Sequence, residues 1–325
     1  MKPGIEDLRA AAARIRPHAV VTPLLESWEL SARTGGRVLV KAEVLQRTGS
    51  FKFRGALNRM LQLTAEERAR GVVAYSSGNH AQAVALAARV CGTSAVIVMP
   101  ADAPKVKVAR TRGHGAEIVL YDRYREDRET IGQRLAAERG LTLVPPYEDP
   151  RIIAGQGTAG LEIARQAAEA GAALDALLVP CSGGGLTAGC AIAMEAESPS
   201  TSIYAVEPQG FDDTARSLRA GRRVSNEPGR SLCDSLLSPT PGELTFSINQ
   251  PRLAGGLVVS EAEALAAMAL AFRELKIVVE PGGAVALAAV LAGRLDCRGK
   301  TVAVLCSGGN VDAEVFQRAL EAQVS

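Results

Sequence analysis

Aromatic residues are scarce in this sequence: they make up 4% of its 325 positions, and there is a single tryptophan. No Lys/Arg-rich run alternates with the few aromatics, and the formal charge is only +2. A nucleic-acid interface, which needs a basic stripe or stacking platforms, is therefore not expected. Long apolar runs are missing too. The most apolar window, Ala173 to Met194, is broken by Pro180 and by consecutive glycines, so no membrane span is expected. The N-terminal stretch MKPGIEDLRAAAARIRP carries acidic residues and lacks the apolar core of a signal peptide; it reads as a surface helix. Cysteines occur (Cys91, Cys181, Cys190, Cys233, Cys297 and Cys306) but never as a CxxC pair. Cysteines scattered among apolar stretches are small core residues, which argues against a zinc site or a disulfide framework. These absences leave a cytoplasmic globular protein. Its length suits two domains, and 47% hydrophobic against 22% charged residues suits a folded chain.

What is present is an alternation. Short β-branched runs such as GRVLVKAE (36–43), SAVIVMP (94–100), ALLVP (176–180) and TVAVLC (301–306) are separated by Ala-rich stretches of helical period. Unbroken apolar strands between amphipathic helices predict α/β architecture with parallel sheets covered on both faces. Composition shifts at TAEERARG, near residue 66, and at PPYEDP, 145–150, mark boundaries. The division expected is a large domain of residues 1–66 and 149–325, with a small α/β domain, 67–148, inserted into it. In open parallel sheets ligands sit at the carboxyl ends of strands. Glycine- and serine-rich strand ends are where chemistry should be sought.

Four such ends stand out: SFKFRGA (50–56), SSGNHAQA (76–83), CSGGGL (181–186) and CSGGN (306–310). CSGGGLTAG follows an apolar strand and opens a helix, so its glycines let backbone N–H groups approach a phosphate. A dinucleotide fold competes, because Glu207 ends a strand about twenty residues on, but the spacing here is G-x-G-x-x-x-G. In SSGNHAQA, Ser76, Ser77 and Asn79 are helix caps at the least. With Gly78 and His80 they also offer donors for a carboxylate, which a helix N-terminus favours. Lys52, framed by Phe51 and Phe53, is the odd feature. A lysine is rarely buried, and an isolated one here snorkels to the surface.

Taken together and in order, SFKFRGA, SSGNHAQA, MPADAPKVKVARTRGHGAEIV, AGQGTAGLEI, SGGGL, EPGGA and SGGNVD resemble the fold type II pyridoxal 5'-phosphate (PLP) enzymes, in the threonine/serine dehydratase and serine racemase branch. The resemblance runs over nearly the whole chain. It implies the tryptophan synthase β-like fold: two open, twisted, parallel-type sheets flanked by helices. It implies that Lys52 bonds covalently to the aldehyde of PLP, with Phe51 packed on the cofactor's face. That bond needs an unprotonated amine, which a desolvated pocket favours. By the same resemblance the backbone N–H groups of Ser182, Gly183, Gly184, Gly185 and Leu186 hold the phosphate. Ser182 stands where relatives usually have a fourth glycine. Asn79 contacts the ring hydroxyl, Ser307 the ring nitrogen, and Ser76, Ser77, Asn79 and His80 hold the substrate carboxylate. A hydroxyl at the ring nitrogen stabilises a full carbanion less than a carboxylate does, which favours prompt loss of a β-leaving group. The reaction implied is β-elimination of water from L-threonine, L-serine or a β-hydroxyaspartate, giving a 2-oxo acid and ammonia, with Lys52 taking the α-proton.

Three details bear on the branch. Ser77 stands where many threonine dehydratases have alanine, and in racemase-like relatives a serine here faces the lysine from the opposite side of the substrate. The alternative activity is thus racemisation of serine or an aspartate-type substrate, with Lys52 and Ser77 as the two proton-transfer groups. VEPQGFDD places Glu207, the Phe211 carbonyl and Asp213 where such relatives bind a divalent cation, Mg²⁺ or Ca²⁺; an ordinary acidic turn is the other reading. YDRYREDRE carries Arg123, Arg125 and Arg128. Solvated helix charges would look the same, but Arg128 lines up with an arginine that reaches the active site, where a guanidinium can bind a second carboxylate. Against this, RSLCDSLLSPTPGELTF departs from the family's TIADG pattern. β-Replacement is disfavoured, because those enzymes usually have threonine where His80 stands. The resemblance further implies a homodimer. With no regulatory domain after SGGNVDAEVFQRALEAQVS, isoleucine feedback is not expected.

Overall fold

The computed structural model describes residues 1–321 apart from Ser77, Pro104 and Arg123, and apart from the side chains of Lys105 and Val106. The strands in chain order are β1 (Leu24–Glu26), β2 (Arg37–Ala42), β3 (Val72–Tyr75), β4 (Ala95–Pro100), β5 (Glu117–Tyr121), β6 (Thr142–Leu143), β7 (Ala176–Pro180), β8 (Ser202–Pro208), β9 (Gly255–Val259) and β10 (Thr301–Cys306). They form two sheets, ordered β1-β2-β10-β7-β8-β9 and β5-β4-β3-β6. The smaller sheet is parallel throughout, and its strands all come from the segment between β2 and β7. The larger is parallel except for β1, which pairs antiparallel with β2. Two parallel-type sheets flanked by helices are what the alternation predicts. The short edge strand β1 carries no alternation from which it could have been read.

Strands β4 and β7 are buried at every residue, and β2 and β10 at all but the first, as strands covered on both faces require. The helix Pro150–Glu169 starts where Asp149 accepts from the N–H groups of Arg151 and Ile152, with Pro150 at its first position. It packs on the helix Lys52–Met60 so closely that a Cβ on Gly155 would lie 2.6 Å from the Gly55 Cα. This contact explains the small residues of AGQGTAG.

The same helix pair carries a buried ionic cluster. Both terminal nitrogens of Arg54, together with Nε, engage Glu43 and Glu162 at 2.7 Å. Lys41 Nζ, fully buried on β2, donates to Glu162 Oε2 and to the Thr22 carbonyl at 2.7 Å. Helix, sheet and the long helix Pro150–Glu169 are therefore fixed relative to one another just beside Lys52. Among the described residues, no helix is long and apolar enough to cross a membrane.

Candidate active site

The carboxyl ends of β3, β7 and β10 open onto one cavity, where Lys52, Ser76, Asn79, Ser182, Arg128 and Ser307 come together. The strand-end motifs thus converge as the parallel topology requires.

Lys52 is the first residue of the helix Lys52–Met60, and Phe51 precedes it as the cap. Its Nζ donates to the carbonyl of Pro146 at 2.9 Å and lies 5.2 Å from the centre of the Phe51 ring. Neither partner carries a charge. Burial therefore lowers the ammonium pKa from 10.5 to about 8. The amine lines the cavity, and it loses its proton well below the range of an ordinary lysine.

The glycine loop faces Lys52 across the cavity. Its carbonyls are tied outward: Gly183 O accepts from Thr245 Oγ1 at 2.5 Å, and Gly184 O from Asn249 Nδ2 at 3.2 Å. Gly184 has φ of +90°, which a side chain would strain, and a Cβ on Gly183 would lie 2.3 Å from the ring of Tyr147. Among the described residues, no acceptor bonds to the N–H groups of Ser182 through Leu186, at the start of the helix Gly185–Glu197. A nest of unpaired backbone donors at a helix N-terminus fits a phosphate. Ser182 keeps its backbone donor in this nest while its hydroxyl donates to Ser238 Oγ at 2.8 Å.

Asn79 and His80 open the helix Asn79–Val90. Asn79 Nδ2 donates to Glu280 Oε1 at 2.5 Å, and its Oδ1 accepts from Asn310 Nδ2 at 2.7 Å. The His80 ring is turned to the Val144 carbonyl, 2.9 Å from Nε2. Burial and the nearby charge of Lys52 drop its pKa to about 3, so the imidazole is neutral. What His80 can offer an anion is its backbone N–H at the helix start. Ser76 lines the cavity, and its Oγ accepts from Gly78 N at 3.2 Å. Ser307, buried at the end of β10, lines it from below. Ser77 lies outside the described residues.

Of the three candidate arginines, Arg128 reaches the cavity and stacks 5.8 Å from the ring centre of Tyr75. Among the described residues no carboxylate pairs with it. Arg125 is on the surface beside Asp122, and Arg123 lies outside the described residues.

Glu207 and Asp213 are buried next to each other, away from the cavity. Both oxygens of Glu207 already accept helix N–H groups, from Thr214 at 3.0 Å and Ala215 at 2.8 Å. Burial and the neighbouring Asp213 push Glu207 up to about 8, and burial pushes Asp213 up to about 6. Asp213 Oδ1 accepts from Asn226, while Oδ2 has no partner. No cluster of three His, Cys, Asp or Glu side chains occurs among the described residues. The free oxygen at this pair is Asp213 Oδ2.

Several groups here escaped the sequence reading. Glu280, in EPGGA, is buried in the cavity wall, and burial together with Asp234 pushes it up to about 8. A glutamate before Pro-Gly at a helix start reads as a cap, so nothing marked it. Pro146 and Tyr147 sit in PPYEDP, which reads as a boundary. Lys107 bonds Asp234 at 2.7 Å across the cavity mouth, and only tertiary structure unites them.

Comparison with known proteins agrees with this geometry. Residues 15–308 match the family described as "Pyridoxal-phosphate dependent enzyme". The chain is 43% identical over 314 residues to an L-threo-3-hydroxyaspartate ammonia-lyase of Saccharomyces cerevisiae, covering 97% of this chain and 95% of that protein. Among solved structures, a threonine deaminase from T.th. is 48% identical with a TM-score of 0.89, covering 95% of this chain and 99% of the other. Maize serine racemase is 37% identical with a TM-score of 0.92, covering 99% and 98%. The chain therefore belongs to the pyridoxal-phosphate dependent enzymes and has their type II fold.

Proposed function

We propose that the chain is an ammonia-lyase that eliminates water from a small hydroxy amino acid, with a 3-hydroxyaspartate favoured over serine and threonine. The observation that carries this reading is Arg128, a guanidinium without a carboxylate partner in the same cavity as Lys52. Arg128 is half-buried in the cavity wall, and a bidentate contact to a carboxylate is a guanidinium's strongest match. Serine and threonine have no second carboxylate to offer. The similarity to a hydroxyaspartate ammonia-lyase supports the same choice.

In this reading the N–H groups of Ser182 through Leu186 hold the cofactor's phosphate, Asn79 meets the ring hydroxyl, and Ser307 the ring nitrogen. Bound there, the cofactor supplies an electron sink for the bond broken at the substrate's α-carbon. Lys52 Nζ takes the α-proton, which its lowered pKa suits. Ser76, the backbone N–H of His80 and the helix start at Asn79 orient the α-carboxylate, and Arg128 the second one. Tyr75 and Tyr147 limit water at that end. Serine racemisation is the second reading, favoured by the likeness to maize serine racemase and by a serine at position 77, the second proton-transfer group that the resemblance implies beside Lys52.

The same proposal covers features around the site. Glu207, the Phe211 carbonyl and Asp213 hold Mg²⁺ or Ca²⁺, for which the unpartnered Asp213 Oδ2 speaks. Two chains form a homodimer, supported by exposed Val20, Val21, Trp28 and Leu45. Residues 67–148 act as the small domain against 1–66 and 149–325. A reducing, cytoplasmic setting suits six cysteines that are all free and buried.

A proton NMR time course in D₂O tests the reading, with enzyme, PLP and Mg²⁺ offered L-serine, L-threonine and the 3-hydroxyaspartate isomers separately. Keto-acid signals growing fastest from a hydroxyaspartate are expected. Keto acid released faster from serine or threonine overturns the substrate assignment. Loss of the α-proton signal while the amino acid persists makes racemisation the main activity.

A further inference from the structure

We propose that Asn310 is a positioning residue that sets which way round the Asn79 amide stands, so that Asn79 presents an N–H donor to the cavity. The inference rests on Asn79 serving the cofactor's ring hydroxyl. A lone asparagine amide can turn over at little cost, exchanging donor for acceptor. Here its polarity is imposed from outside the cavity. Asn310 Nδ2 donates to the Thr48 carbonyl and to Asn79 Oδ1, both at 2.7 Å. Asn310 Oδ1 accepts from Arg110 Nη1 at 3.2 Å. Turning Asn310 over would set its carbonyl against that of Thr48 and its NH₂ against a guanidinium, so its orientation has one solution. Asn79 must then show Oδ1 to Asn310 and Nδ2 to Glu280, 2.5 Å away.

The backbone is shaped to keep this relay. Thr48 has φ of +62°, rare for a β-branched residue, and thereby delivers its carbonyl to Asn310. A Cβ on Gly49 would lie 2.9 Å from Asn310 Oδ1. Gly309 N donates to Gly49 O at 2.9 Å, and Phe51 N to Ser307 O at 3.1 Å. The loop that leads into Lys52 and the loop that carries Asn310 are thus stitched together. The polarity runs from Arg110 and Thr48 through Asn310 and Asn79 to Glu280.

The test is a double-mutant cycle on cofactor affinity, with apoenzyme titrated with PLP and the near-violet band followed in wild type, Asn310→Asp, Asn79→Ala and the double variant. Asn310→Asp replaces the donor by an acceptor of the same shape. Cofactor binding is expected to weaken about tenfold or more when Asn79 is present, and less than about twofold when it is alanine. Equal weakening in both backgrounds, or none in either, overturns the proposal. Asn310→Ser, which removes the amide but keeps a small polar group, repeats the cycle if thermal melts show that Asn310→Asp does not fold. A wild-type chain that develops no band at all would refute the reading of the cofactor site itself, a result distinct from an unchanged cycle.

Discussion

Lys52 and Arg54 stand two residues apart on one helix, Arg54 fully buried and Lys52 half-buried in the cavity wall, and their electrostatic fates are opposite. Arg54 is gripped by Glu43 and Glu162, and its pKa is raised although burial works against it. Lys52 has a neutral carbonyl for a partner, and its pKa falls to about 8. The difference lies in the neighbours: Arg54 is the deeper of the two and still keeps its proton. A buried cation surrounded by carboxylates is inert and holds elements together. A buried cation left without one is ready to lose its proton.

The sharpest way to break this comparison is to remove each cation in turn. Lys52→Met is expected to abolish turnover without lowering thermal stability near neutral pH. The sign follows from linkage. The folded pKa lies below the value of about 10.4 for an unfolded lysine, so between about pH 8 and 10.4 the unfolded chain holds more protons and stability rises with pH. Below pH 8 the cost of the buried ammonium is fully present, and methionine removes it. Retained keto-acid release, or a melting point lowered as far as that of an Arg54 variant, would merge the two residues into one class.

Arg54→Ala is the mirror experiment. It strands the buried Glu43 without its ion-pair partner and leaves Glu162 with Lys41 alone, which costs about 3–5 kcal/mol for a buried pair broken on one side. Chemical denaturation of the apo chain should show that loss. A change below about 1 kcal/mol would mean that Lys41 and Thr22 already satisfy both carboxylates.

This contrast also marks what the sequence could disclose. The strand–helix alternation reveals two parallel sheets because burial on both faces leaves a run of apolar residues in one stretch of chain. The lysine and the glycine loop are legible for the same reason: each is a local motif that chemistry restricts. Glu280, Tyr147 and the Lys107–Asp234 pair are not, since each gains its meaning from a partner far along the chain. Arg54 is the instructive case. It lies inside the quoted motif SFKFRGA, yet its two carboxylates come from residues 43 and 162, and no local spacing connects them.

A third, smaller effect sharpens the comparison in pH. The rate at which apoenzyme takes up PLP depends on the neutral fraction of Lys52, so it should rise with pH and level off above about 8. Stopped-flow absorbance across pH 6–10 would follow it. A rise that continues to the range of an ordinary lysine, near 10.4, would show that the Pro146 carbonyl and the Phe51 ring leave the amine effectively solvated.

The smallest effect belongs to Glu207 and Asp213, which invert the comparison: two buried carboxyl groups, neither held in an ion pair among the described residues, both with pKa values raised by burial. Glu207 spends both oxygens on the helix N–H groups of Thr214 and Ala215, so what remains for a metal is chiefly Asp213 Oδ2 and the Phe211 carbonyl. Such a set binds weakly unless water completes it. At a hundredfold excess over its dissociation constant, a cation bound only by the folded chain adds about 2.7 kcal/mol, which chelation should remove as a drop of several degrees in the melting point. Asp213→Asn should abolish that response to added Mg²⁺ or Ca²⁺ while leaving the cap of Glu207 on the helix Asp213–Ala220 in place. If neither ion moves the wild-type melt, the pair does the work of a helix cap alone, and burial accommodates its carboxyls by raising their pKa, where Arg54 shows the alternative of sharing a cation.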